Sequence, residues 1–248
     1  MKQHVCLKES DEMALILAID TSAKPVSCAL AEDGRVLASF YANTGLTHSQ
    51  TLMPMIENVL DVTGYTVADL TALAVNAGPG SFTGVRIGVS AVKGLAFTGG
   101  LPCISVSTLE SMAENTAATP NTVICCLMDA RCQQVYGALF EKDTTGQLRR
   151  LMKDEALTVQ EMGEKLSSLS APVLLVGDGS EMCYRVWKDS IPNVSLAPAS
   201  VRYQNAAATA LVAGRYLAMG KTVTAEELQP VYLRLPQAER ELNARMNK

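Results

Sequence analysis

Residues 78–88 read GPGSFTGVRIG, and this glycine-rich run constrains the fold more than any other part of the chain. An apolar stretch, 73–77, precedes it, and we predict that a helix follows it. Small residues recur along that helix at Gly84, Gly88, Ala91 and Gly94. Bare N–H groups at a helix start favour anions, whereas a flat face lets another element pack closely. Because each glycine inside a helix costs about 0.8–1 kcal/mol relative to alanine, we expect such close packing as compensation, by the same chain or by another.

Length and composition indicate a globular protein. The chain has 248 residues, of which 48% are hydrophobic, enough for one large domain or for two lobes. It contains no apolar run of about 20 residues, and its N-terminus lacks the pattern of a signal peptide, so we expect a cytoplasmic protein that is not attached to a membrane. A net charge of −4 argues against binding nucleic acid through the chain's own field. We expect any RNA contact to be shared with a partner.

Cysteine and histidine usage excludes several kinds of site. The seven cysteines form no C-x-x-C pair and lie mostly in apolar runs, so we interpret them as reduced core thiols. The two histidines, His4 and His48, are too few for a histidine-rich metal site. A serine-hydrolase triad would have to use His48, and no such arrangement is evident.

The order of predicted elements suggests a repeated architecture. Residues 1–12 are polar and aperiodic, and we interpret them as a flexible extension or an upstream start without a role in the fold. After them we predict three strands in a meander, a helix over 48–63 opened by a Thr47/Gln50 capping box, a strand, the glycine-rich helix and another strand.

A similar series then follows. Capping boxes at Ser107/Glu110 and Thr158/Glu161 open two helices, strands are predicted at 123–128, 134–140 and 173–176, and helices end near 187 and 219. This order predicts two α/β lobes, the first over 13–107 and the second over 108–225, followed by a C-terminal tail over 226–248.

Five motifs carry a resemblance to a known family from Met13 onward. They are Ile19-Asp20-Thr21-Ser22, His48-Ser49-Gln50 with Leu52 and Pro54, Gly78 to Gly88 with Lys93-Gly94-Leu95-Ala96, Asp129-Ala130-Arg131, and Pro230-Val231-Tyr232-Leu233-Arg234. Together they resemble the bacterial TsaB (YeaZ) family. The resemblance implies an α/β fold of two related lobes with actin/Hsp70/sugar-kinase-like (ASKHA) architecture. It also implies a non-catalytic partner of TsaD in forming N6-threonylcarbamoyladenosine at position 37 of tRNAs that read codons beginning with A, with the ATPase TsaE assisting.

Compared with the catalytic paralogue, the chain lacks a metal site. The resemblance to TsaD places an H-x-x-x-H pair on the helix that begins here at His48, but the second position is Leu52. Because transition-metal sites need three or more protein ligands, we expect neither a catalytic residue nor a bound metal.

The turns that would hold a nucleotide look degenerate. Asp20, Thr21 and Ser22 lead to Pro25, which lacks an N–H donor, and no glycine is present in this turn. Asp129 ends another strand, at the position where a carboxylate that orders magnesium would lie. Gly177 and Gly179 resemble a degenerate form of the turn that contacts adenosine in this fold. We expect the chain alone to need no cofactor, while ATP or ADP at the interface with the partner stays open.

The resemblance implies that the first two long helices form the partner surface. The candidate interface residues are His48, Leu52, Met55, Ile56, Val59, Phe82, Arg86, Gly88 and Lys93. An apolar stripe such as that at 52, 55, 56 and 59 is more often core, and two cations on one helical face are more often solvated or ion-paired. With the flat glycine face outward, Gly88→Leu would disrupt partner binding without unfolding the lobe.

Two other functions compete with a scaffold. The first is an active small-molecule kinase or ATPase of the same fold, and the second is a peptidase based on Ser49 beside His48. The partners we expect are TsaD, with TsaE in a larger complex, and tRNA only through that complex. The balance between this heterodimer and a homodimer stays open.

Overall fold

The computed structural model describes residues 13–234, which form two lobes built around separate sheets. The expected extension over 1–12 lies outside the described residues. The first elements are β1 Leu15–Asp20, β2 Val26–Glu32, β3 Arg35–Ala42, α1 His48–Thr63, β4 Ala72–Gly78, α2 Phe82–Gly99 and β5 Cys103–Ser107. The others are α3 Thr108–Glu114, β6 Val123–Asp129, β7 Gln134–Lys142, β8 Leu148–Thr158, α4 Val159–Ser167, β9 Val173–Val176, α5 Ser180–Trp187, β10 Val194–Leu196, α6 Ala199–Arg202 and α7 Ala206–Ala218.

The two sheets have the same topology. The first has the strand order β3-β2-β1-β4-β5, and the second has the matching order β8-β7-β6-β9-β10. In each sheet the three strands that come first in the chain pair antiparallel with one another. The fourth strand pairs parallel with the first, and the fifth pairs parallel with the fourth. This repetition confirms the prediction of two related lobes with actin/Hsp70/sugar-kinase-like architecture.

Side-chain size alternates along the central strands of the first sheet. Leu17 and Leu73 pair across β1 and β4 and face the core beneath α1 and α2, whereas the neighbouring pair Ala18 and Ala74 faces α7. Small residues on both surfaces let the alanine-rich α7 lie close to the sheet. We expected α7 within the second lobe, and its packing instead places it on the first sheet. The assignment of α7 to the second lobe is wrong because the chain returns to the first lobe after β10.

Helix boundaries follow the predicted signals in part. Helix α1 has the predicted bounds and ends at Gly64 in the left-handed conformation, with φ of 74°. The capping box at Thr158 is formed, since Thr158 Oγ1 accepts from the Glu161 amide at 3.1 Å and the Glu161 carboxylate accepts from the Thr158 amide at 2.7 Å. Thr47 makes no side-chain cap, and Ser107 caps its helix without the return bond because Glu110 pairs with Arg150 instead.

The described cysteines are mostly buried, as expected. Burial raises the pKa of Cys28 and that of Cys183 to about 12, which keeps both thiols protonated and unreactive. Cys132 is the exception among residues 13–234, because it lies exposed in the β6–β7 turn rather than in the core. Cys6 is outside the described residues.

Gly84 and Gly88 of α2 pack inward, so the expectation of an outward flat face at Gly88 is wrong. A Cβ at Gly88 would lie 2.5 Å from Thr21 Oγ1 and 3.1 Å from Val75 Cγ2, and a Cβ at Gly84 would collide with the Thr21 carbonyl oxygen. The compensation for these glycines is therefore close packing within the same chain. Gly94, further along α2, is exposed and has open space beside it.

Gly88→Ala should lower the free energy of unfolding by about 1–3 kcal/mol, because the added methyl group overpacks the contact with Thr21 and Val75. Gly94→Ala in the same helix is the matched control, and it should raise that free energy by roughly 0.5–1 kcal/mol through helix propensity alone. Urea denaturation of both variants measures the difference. Equal stabilisation by the two substitutions would contradict an inward-facing Gly88.

Candidate functional site: the interlobe cleft and the outer face of the first two helices

The turn after β1 is held by its own hydrogen bonds. Asp20 is buried, and its Oδ1 accepts from the Ser22 amide at 2.8 Å and from Ser22 Oγ at 2.6 Å. Its Oδ2 accepts from Asn76 Nδ2 at 2.7 Å. Burial raises the pKa of Asp20, and the bonds from Ser22 and Asn76, with His48 nearby, oppose that rise.

The equivalent turn of the second lobe repeats this geometry. Asp129 ends β6, and its Oδ1 accepts from the Arg131 amide at 2.8 Å, two residues on, as in the Asp20 turn. The Asp129 amide donates to Asp178 Oδ1 at 3.3 Å, which brings the predicted turn around Gly177 and Gly179 against β6. Burial raises the pKa of Asp178, and the charge of Asp129 raises it further. The structure thus brings the acidic residues of this lobe together.

The turn after β1 makes hydrogen bonds with the start of α2. The Ser81 amide donates to the Ser22 carbonyl at 2.7 Å, and the Thr21 hydroxyl donates to the Gly84 carbonyl at 2.7 Å. Thr21 and Ser22 are both buried, and their hydroxyl groups are bonded within the chain, while Ser22 also lines the cleft between the lobes. Gly177 and Gly179 likewise let the chain pass close to the backbone of β6. A nucleotide on these turns stays a prediction.

A cleft of about 440 Å³ remains between the lobes. Its charged lining residues are Lys24, Asp129, Arg131, Asp178 and Arg234. Aromatic side chains of Phe82, Tyr136 and Tyr232 complete the walls. Sequence reasoning assigned no role to Tyr232 and Arg234, although the Pro230–Arg234 motif that contains them was a recognisable signal.

A second, more apolar groove of about 560 Å³ lies on the outer face of α1 and α2, which we call the docking face. Its residues are Ser49, Leu52, Met53, Phe82, Thr83, Arg86, Ile87, Ser90 and Ala91. Met53 is 41% exposed and Phe82 is 37% exposed. Two large apolar side chains at adjacent positions of the surface, with serine and arginine around them, resemble the centre and rim of a protein interface.

The predicted interface residues divide between the surface and the core. Phe82 and Arg86 are exposed, whereas His48, Met55 and Lys93 are half-buried. The other four, Leu52, Ile56, Val59 and Gly88, are buried in the lobe itself, so the prediction that they contact a partner is wrong. Leu52 forms the floor of the groove. The apolar stripe at helical spacing is thus the core side of α1. Met53 was not predicted as an interface residue, although it is an apolar residue next to that stripe in the sequence.

Three predicted residues make specific contacts. His48 opens α1 and places Nε2 3.2 Å from the Lys24 carbonyl oxygen, to which its ring N–H donates. Arg86 donates through Nε to the Tyr232 hydroxyl at 2.9 Å, and Lys93 donates to the Glu226 carbonyl at 3.2 Å. Arg86 and Lys93 thus share the helical face over which the C-terminal segment passes.

Among residues 13–234, no three side chains of histidine, cysteine, aspartate or glutamate come together in a way that could hold a metal ion. No helix there is long and apolar enough to cross a membrane. The expectation that the chain binds no metal stays a prediction.

The two sheets of matching strand order define a fold of the actin/Hsp70/sugar-kinase-like class. A family model described as TsaD, tRNA N6-adenosine threonylcarbamoyltransferase, matches residues 42–242. The chain is 36% identical to the tRNA threonylcarbamoyladenosine biosynthesis protein TsaB of Escherichia coli, over 88% of this chain and 94% of that protein. It is 30% identical to the Bacillus subtilis protein of that name, over 90% and 96% of the two chains.

A solved structure agrees with these sequence relatives. YeaZ from Pseudomonas aeruginosa superposes with a TM-score of 0.74 and 30% identity, covering 89% of this chain and all of that one. The chain belongs to the TsaB (YeaZ) family, which confirms the resemblance carried by the five motifs.

The buried Asp20 predicts a pH dependence of stability. The pKa of Asp20 in the folded chain is raised above its value of 3.8 in the unfolded chain, so the folded state binds more protons. Stability therefore falls as the pH rises from the unfolded pKa to the folded pKa. Asp20→Asn removes this titration, and Asn76 can turn its Oδ1, which has no hydrogen-bond partner among the described residues, toward the new amide.

Relative to Asp20→Asn, the wild-type chain should therefore lose stability as the pH rises from about 4. Urea unfolding at several pH values measures the difference, with Asp61→Asn on the exposed side of α1 as a control. A constant difference across this range would contradict the raised pKa.

Proposed function

We propose that the chain is a non-catalytic subunit in the formation of N6-threonylcarbamoyladenosine and that it acts as the partner of TsaD. The substrate would be adenosine 37 of tRNAs that read codons beginning with A, with TsaE joining the same complex. The names of the relatives support the pathway. The match of residues 42–242 to the TsaD model supports the partner, because two proteins of one fold can pair through equivalent helices.

The observation that carries this proposal is the docking face. Met53 and Phe82 expose apolar surface on two long helices, and both line the groove of about 560 Å³. Burying such a patch removes apolar surface from water and favours association. Homodimers would use the same surface, so TsaD and a second copy of the chain would compete for it.

The cleft supports a non-catalytic role. The polar groups of Thr21 and Ser22 are bonded within the chain, and the Asp20 carboxylate accepts three internal hydrogen bonds. A phosphate loop needs free backbone N–H groups directed at the ligand, and here Ser81 spends its amide on the Ser22 carbonyl. The transfer chemistry would therefore belong to the partner.

One observation favours an active kinase or ATPase as a second candidate. Asp129 and Asp178 line the cleft together with Lys24 and Arg131, which is a mixture of charges that a magnesium nucleotide could use. A peptidase has no such support, because His48 directs Nε2 at the Lys24 carbonyl rather than at Ser49.

Met53→Glu should weaken binding to TsaD by tenfold or more, since a carboxylate at the centre of the docking face would have to be desolvated without a partner. Met219→Glu is the control, because Met219 is also exposed and follows α7, outside the docking face. Calorimetric titration with TsaD measures the affinity, and reconstituted tRNA modification should fall in parallel. Normal binding by Met53→Glu would place the interface elsewhere.

ATP turnover separates the scaffold from the kinase. We expect the purified chain with magnesium and ATP, alone or with small-molecule acceptors, to show no turnover above the buffer blank. Sustained turnover that Asp129→Asn abolishes, while melting temperature is retained, would favour the kinase instead.

A further inference from the structure

The segment Pro230–Arg234, which we call the strap, is fixed against the end of β4. The Val231 amide donates to the Ala77 carbonyl at 2.7 Å. Gly78 has φ of 134°, and a Cβ there would collide with the Val231 carbonyl oxygen. The first glycine of the glycine-rich run therefore makes room for the strap.

Tyr232 of the strap joins two residues of the docking face. Its ring stacks on Phe82 with 5.1 Å between centroids and 29° between planes, and its hydroxyl accepts from Arg86 Nε at 2.9 Å. The Arg86 guanidinium lies 4.0 Å from the centre of the Phe82 ring. The three side chains thus hold one another in a closed triangle.

Phe82 is 37% exposed, Tyr232 is 41% exposed and Arg86 is also exposed, so packing against the core covers these side chains only in part. Without Tyr232, Phe82 would lose its stacked neighbour and Arg86 would lose its acceptor. Each would then sample other rotamers before docking, and ordering them would oppose binding.

Phe82 also forms a wall of both the docking face and the cleft. Beyond Tyr232, the strap reaches the second lobe, where Arg234 Nη1 donates to the Ala130 carbonyl at 3.1 Å. The strap therefore connects the docking face to the turn that carries Asp129.

We propose that Tyr232 is a positioning residue for partner binding, which it promotes by holding Phe82 and Arg86 in the conformation that the partner receives. This inference rests on the proposed docking of TsaD at α1 and α2. By thermodynamic reciprocity, a bound partner also holds the strap in place.

Affinities of strap variants for TsaD test the positioning role. Tyr232→Ala should weaken binding roughly five- to thirtyfold, because two side chains lose their order. Tyr232→Phe keeps the stack and should recover most of that loss, whereas Gln229→Ala, at the exposed residue just before the strap, should bind as the wild type does.

A double-mutant cycle separates positioning from direct contact. In a Phe82→Ala background, Tyr232→Ala should cost at most about threefold further, since only the ordering of Arg86 is then left to lose. A full additional loss would mean that Tyr232 contacts the partner itself or acts through the fold, and it would overturn the proposal.

Hydrogen exchange at the Val231 amide gives a second readout. Saturating TsaD should slow this exchange in the wild-type chain by a factor similar to the affinity loss of Tyr232→Ala. Unchanged exchange, or wild-type affinity of Tyr232→Ala, would overturn the positioning role and leave the proposed function standing. Failure of the wild-type chain to bind TsaD would overturn both.

Discussion

The close approach of α2 to the turn after β1 is the contact on which the rest of the structure depends. Gly84 and Gly88 bring the helix against Thr21, and the Ser81 amide and the Thr21 hydroxyl lock the two segments together. This contact sets how α2 lies on the first sheet, and therefore where the docking face points. It also uses the Thr21 hydroxyl and the Ser22 carbonyl, so the groups that position α2 belong to the turn that borders the cleft.

The two lobes show how a duplicated architecture diverges. Asp20 and Asp129 end equivalent strands and make the same bond to the amide two residues on. Their helices differ, since α1 and α2 have 16 and 18 residues whereas α4 and α5 have 9 and 8. Long paired helices give the first lobe the groove that Met53 and Phe82 line. In the second lobe, shorter helices cover the sheet, and its acidic turn faces the cleft.

Sequence patterns predicted what is local and missed what depends on the neighbour. The bounds of α1, the strand meander and the family followed from periodicity and motifs. Strand β8 was missed because its residues, 148–158, are rich in charge, as suits an edge strand that is partly in water. The glycines of α2 showed that something approaches closely, but not that Thr21 does. Likewise, the stripe through Leu52 and Ile56 showed one face of α1 without showing that it is the inner one.

The strap gives Arg86 a role beyond its charge. An arginine that becomes buried under a partner loses water, and this loss is costly unless other groups replace the water. Here the Tyr232 hydroxyl already accepts from Nε, and the Phe82 ring already faces the guanidinium. Part of the desolvation is thus complete before a partner arrives, because these contacts exist in the free chain. An exposed cation can therefore sit beside Met53 and Phe82 without making the docking face too polar to be buried.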